Sequence, residues 1–178
     1  MAEQNDTQGS SQQLQLVTFR LGKEEFGVEI LKVHEIIRMM QITQVPKAPD
    51  FVYGVINLRG KVIPIVSLRK RFGLDKGEEQ DQNLRIIVVE LSQVVVGFIV
   101  DSVSEVLKIS RDIVEPPPPV VAGIESDYIT GVAKLEDRLV ILLDLEHLLS
   151  GQEKSQLSQQ AAVGQGHIRP GPAGPGVP

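Results

Sequence analysis

The chain has 178 residues, enough for one globular domain or one domain built from two small halves, and carries a net charge of -5 with a pI near 5.2. That charge repels phosphate, and 4% aromatic residues leave no stacking platform, so both arguments run against nucleic-acid binding. The absence of cysteine excludes disulfides and thiolate metal sites, and a core poor in rings must rest on Val, Ile and Leu, which suit pleated strands.

Residues 1–12 are polar, lack a signal-peptide pattern, and are expected to be a disordered tail. No apolar run approaches the roughly 18–20 residues that span a bilayer, so a cytoplasmic chain without direct membrane insertion is expected. The folded part should run from Gln13 to Ser150. It opens with a strand over 14–21, a turn at Gly22-Lys23 and a second strand over 25–30. A third apolar segment lies at 33–37, followed by a proline-containing connection. The hairpin 54–66 turns at Asn57-Leu58-Arg59-Gly60, where Asn and Gly are turn residues that tolerate positive φ, and a short helical end covers 67–72.

The same pattern then returns. Residues 14–37 align without gaps on 84–107, with Leu14/Leu84, Leu21/Leu91, Gly27/Gly97, Val33/Val103 and Glu35/Glu105 identical. Residues 54–72 align on 131–149, with Gly54/Gly131, Val55/Val132, Leu58/Leu135 and Leu68/Leu145 identical. The second copy is seven residues longer, around the stiff run Pro116–Pro119. The halves therefore cover about 14–73 and 84–150. About five short strands per copy predict an all-β chain of two small barrels with short helices, each marginal alone and packed on the other. Periodicity leaves open whether strands are exchanged between them. From Gly151 to Pro178 the chain is rich in Gln and Ser, then Gly and Pro, and is expected to be disordered.

A catalytic constellation is absent from the pattern. His34, His147 and His167 are scattered, Gly54–Lys61 fails the phosphate-loop spacing, and no nucleophile elbow is present. No catalytic residue, cofactor or metal is therefore expected. The basic group Lys61, Arg69, Lys70 and Arg71 is the argument for the alternative function, a small β-barrel nucleic-acid-binding module; its simpler reading is a solvated helix face. Three features suit protein binding instead. Leu58 and Arg59 occupy a hairpin turn, where the second copy carries Leu135 and Glu136. Pro64 within a strand predicts an edge or bulge. Val33 and Glu35, like Val103 and Glu105, share one strand face, and two such segments facing each other would line a groove fit for an amphipathic helix.

The stretches 25–36 (EFGVEILKVHEI), 54–69 (GVINLRGKVIPIVSLR) and 100–106 (VDSVSEV) resemble the CheW family of chemotaxis coupling proteins, over about residues 13–150. Related domains end the kinase CheA and precede a receiver in CheV. The resemblance implies two five-stranded SH3-like barrels, partly intertwined, with a shared groove. It implies a non-enzymatic adaptor linking the cytoplasmic tip of methyl-accepting chemotaxis receptors to the regulatory domain of the histidine kinase CheA, at receptor arrays on the inner face of the membrane. Carried over by motif, the partner-binding residues are Val33, Glu35 and Arg59; Leu58 of the same turn is expected beside them, with Ile30, Val100 and Val103 as groove lining.

Overall fold

The computed structural model describes residues 13–74, 82–117 and 128–168, of which 162–168 are described by backbone alone. The expected terminal tails 1–12 and 169–178, and Pro118-Pro119 of the proline run, lie outside the described residues.

The first half contributes β1 (Gln13–Leu21), β2 (Glu24–Glu29), a 3-10 turn (Ile30–Lys32), β3 (Val33–Arg38), β4 (Val52–Leu58), β5 (Lys61–Ser67) and the one-turn helix α1 (Leu68–Arg71). The second contributes β6 (Arg85–Leu91), β7 (Val94–Val100), β8 (Ser102–Ser110), a 3-10 turn (Arg111–Ile113), β9 (Val114–Glu115), β10 (Ile129–Lys134), β11 (Leu139–Leu143) and helix α2 (Leu145–Leu148). Helix α3 (Gly151–Ile168) follows.

The chain is mostly β, and the strands form two sheets, ordered β8-β1-β2-β11-β10-β9 and β3-β6-β7-β5-β4. Each sheet draws strands from both halves, so the halves are intertwined. The hairpin β1–β2 lies among strands of the second half, and β6–β7 among strands of the first. The pairings repeat residue for residue. Phe26 and Gly27 run parallel to Ile141 and Leu142 as Gly97 runs parallel to Ile65. Thr18/Phe19 faces Glu105/Val103 across the same bulge that sets Val88/Val89 against Glu35/Val33. Even the two-residue strand β9, which bridges Glu115 to Val132, has its equivalent in the single bridge from Thr43 to Val55. The duplication is thus an approximate internal two-fold.

Three apolar clusters follow from this layout. Ile56, Ile63, Ile65, Leu84, Ile86 and Val88 fill one sheet's interior, and Leu14, Leu16, Ile109, Ala133, Val140 and Leu142 fill the other's. A larger cluster joins the sheets and contains Val17, Phe19, Leu21, Phe26, Val89, Leu91, Val96 and Phe98. The few aromatic residues are concentrated there. Phe19, Phe26, Phe72 and Tyr128 stack in series at centroid spacings of 5.8, 5.5 and 5.5 Å. Each fully buried ring contributes about 1.5–3 kcal/mol of transfer free energy, so this series helps hold the halves together.

Two expectations are corrected. Strand β5, which carries Pro64, is internal, between β4 and β7. Its ladder with β7 begins only at Ile65, so Pro64 sits just before the pairing that would need its missing N–H. The segment from Gly151 does not start as a disordered tail. Ser150 Oγ accepts from the Glu153 N–H at 3.1 Å, and Glu153 Oε1 accepts from the Ser150 N–H at 2.9 Å, a reciprocal capping box that starts α3. Leu157, with no exposed surface, then anchors the helix in the joining core.

Candidate functional site

Glu35 lies on β3 and Arg59 in the β4–β5 turn, and these strands are the two edges of the five-stranded sheet. Arg59 has φ 52° and Gly60 φ 86°, the pair of positive values that a tight hairpin with the twist of its strands requires. The turn is pinned by the Gly60 N–H, which donates to Asn57 Oδ1 at 2.9 Å. So held, Arg59 Nη2 donates to both carboxylate oxygens of Glu35, at 2.9 Å to Oε1 and closer still to Oε2. The pair brings the sheet's edges together while leaving the guanidinium on the surface, with the Arg59 side chain 71% exposed.

Of the other expected residues, all but Leu58 lie in or against the core that joins the sheets. Ile30, in the turn before β3, and Val33 and Val103, at equivalent positions of β3 and β8, are partly buried and pack on the joining core. They form an apolar seam supplied by both halves. Leu58 is partly buried and packs on the core of its own five-stranded sheet, so it supports the Arg59 turn from beneath. Val100 has no exposed surface and lies within the joining core, so its side chain does not line an open groove. The apolar positions of β7 pack inward at this end, which is why an apolar residue next to the seam in sequence is core in space. Leu31, by contrast, is 93% exposed beside Ile30, and sequence reasoning passed over it.

The second half builds a related pair differently. Position 136, equivalent to Arg59, is a glutamate, but Arg138 reaches Glu105 at 2.6 Å and the buried Glu25 at 2.8 Å. Alignment alone hides this substitution, because the arginine stands two residues later in its hairpin. Three of the four residues of the basic cluster are engaged within the molecule. Arg69 makes two hydrogen bonds to Asp101, at 2.6 and 2.7 Å; Arg71 holds Glu153 and the Leu148 carbonyl; and Lys70 lies 5.3 Å from the Tyr53 ring centroid. Arg69 and Arg71 are thus inward ties, and neither a solvated helix face nor a phosphate-binding patch describes them.

Histidine chemistry is equally local: His34 meets Glu90 at 3.0 Å and His147 meets Asp144 at 2.6 Å, both on the surface. Among the described residues no group of three His, Cys, Asp or Glu is placed to hold a metal ion. No described helix is long and apolar enough to cross a membrane.

The architecture is that of an intertwined, duplicated β protein with an apolar seam and a surface ion pair. The family model for the CheW-like domain matches residues 15–153. The chain is 40% identical to the chemotaxis protein CheW of Klebsiella aerogenes, over 83% of this chain and 88% of that protein. It is 38% identical to the CheW of Treponema pallidum, over 84% and 89%. The scaffolding protein TtCheW of Thermoanaerobacter tengcongensis superposes with a TM-score of 0.70 at 41% identity, covering 77% of this chain and 88% of that one. The chain belongs to the CheW-like domain family.

Proposed function

We propose that this chain is a cytoplasmic, non-enzymatic chemotaxis adaptor that couples the cytoplasmic tip of methyl-accepting receptors to the regulatory domain of the histidine kinase CheA. The observation that carries the reading is the Arg59–Glu35 pair. It ties a hairpin whose charged tip stays exposed to Glu35, which follows the seam residues Ile30 and Val33 closely in sequence. Relatives that match most of the chain are named chemotaxis proteins, and a solved structure of the same fold is a scaffolding protein. An apolar seam rimmed by a carboxylate and a guanidinium suits the side of an amphipathic helix, whose apolar stripe would lie on Ile30, Val33 and Val103.

Such an adaptor forms no bonds. It shifts kinase activity by holding receptor and kinase together with an affinity that differs between their states, and the coupling is reciprocal by linkage. Arg59→Asp sets a carboxylate against Glu35 on the surface and should leave the fold intact. Co-precipitation with a receptor cytoplasmic fragment and CheA is expected to weaken, with loss of receptor control over autophosphorylation. Wild-type binding and control by a folded Arg59→Asp protein would refute the reading.

A further inference from the structure

The internal two-fold gives each half a barrel mouth, and the two mouths differ. At the first mouth, on the five-stranded sheet, Tyr53 of the first half and Leu84 and Ile99 of the second close over a residual space of only about 10 Å³, with Lys70 Nζ over the tyrosine ring. Across the two-fold, Thr130 stands for Tyr53, Glu29 for Ile99, Leu14 for Leu84 and His147 for Lys70. The plug is missing and the floor is kept. The result is an open cleft of about 560 Å³, floored by Leu14, Leu16, Val114 and Leu142, with Glu29 and His147 at its rim. That volume is within the range that holds a ligand.

We propose that this second mouth receives an aromatic side chain, tyrosine or phenylalanine, from a partner polypeptide, seated as Tyr53 is seated in the first half. Three observations carry the proposal. The chain itself shows what fits, because one fold with matching floor positions closes over a phenol ring in one copy and stays open in the other. His147, held by Asp144 at 2.6 Å, takes the place of the cation above that ring. The source is a polypeptide because Val114 of the floor belongs to β9, the last strand in the sheet order among the described residues, so a partner's backbone has a strand edge to pair with as its ring enters. None of this depends on the Arg59 surface.

The test uses the full chain with labelled methyl groups. Titration with p-cresol is expected to shift the methyl resonances of Leu14, Val114 and Leu142 and to leave those of Met39, Leu84 and Ile99 in the first mouth in place. A blocked Gly-Ser-Tyr-Ser-Gly peptide should act at the same methyls at a concentration at least several-fold lower, and Gly-Ser-Ala-Ser-Gly should not. Thr130→Tyr, which supplies the ring internally, should weaken p-cresol binding at least tenfold. The absence of shifts in the cleft, or equal shifts in both mouths, overturns the proposal without any variant. Binding of p-cresol with no gain from the tyrosine peptide overturns the polypeptide source.

Discussion

Arg138 and Glu105 remake, two residues out of register, the ion pair that Arg59 forms with Glu35. The environments differ in one respect that decides the energetics. Arg138 also neutralises Glu25, whose side chain is 7% exposed, whereas Arg59 has only a surface partner. Removing Arg59 frees a solvated carboxylate, and removing Arg138 strands a buried one. Arg59→Ala is expected to change Tm by no more than about 2 °C, and Arg138→Ala to lower it by at least about 5 °C. Adding Glu25→Gln to Arg138→Ala should recover part of that loss. Thermal unfolding followed by circular dichroism reads all three.

The C-terminal helix depends on a cap and an anchor. Ser150→Ala deletes the acceptor for the Glu153 N–H and should cost about 1 kcal/mol. Leu157→Ala hollows the joining core beneath the helix and should cost about 2–5 kcal/mol. Urea unfolding gives the totals. Hydrogen exchange should show Ser150→Ala acting on α3 and Leu157→Ala on the helix and the core together.

Gly54 and Gly131 occupy equivalent close approaches. A Cβ on Gly54 would lie 2.5 Å from Ile42 Cγ2 and 2.7 Å from the Thr43 carbonyl, and one on Gly131 would lie 2.7 Å from Val114 Cγ1 and 2.9 Å from the Glu115 carbonyl. Backbone cannot yield as a side-chain end can. Gly54→Ala and Gly131→Ala are each expected to destabilise by about 1–3 kcal/mol, by similar amounts. A large disparity in urea midpoints would show the internal two-fold to be energetically unequal here.

Glu146 accepts from Lys154 at 2.9 Å and from Ser92 at 2.9 Å, and these contacts hold its carboxyl below the ordinary glutamate value of 4.5, the bond to Lys154 first and the Ser92 hydroxyl next. A carboxyl depressed in the folded state stabilises above its unfolded pKa, and that stabilisation is lost as pH falls through its folded pKa. The tie between α3 and α2 should therefore weaken in acid. Lys154→Met should flatten the acid limb of the stability–pH profile, measured as Tm between neutral pH and the carboxylate range.

The duplication was legible because alternation and paired glycines survive in both copies, as at Gly27/Gly97 and Gly54/Gly131. The exchange of strands was not legible in the periodicity, since a period of two shows which face is buried and not which neighbour is paired, and only the family resemblance implied it. Composition concealed α3: the Gln- and Ser-rich run reads as disordered, yet Ser150-Gly151-Gln152-Glu153 is a capping box and Leu157 an anchor. At the seam, Val33 and Val103 followed from the repeat, while Val100 was misplaced because sequence proximity does not separate a rim residue from a core one. Arg138 escaped because it departs from the aligned position of Arg59.

The ladder from Phe26 to Ile141 has a kinetic consequence. The second strand of the chain finds its parallel neighbour only near the end of the folded part, and the other sheet likewise waits for β7 before β5 is flanked on both sides. A nascent chain leaving the ribosome cannot finish its first sheet until residue 143 has emerged, so that sheet is completed only after strands of both copies have been synthesised. Cutting the gene between the two copies would yield two fragments, each holding unpaired strand edges and neither able to close.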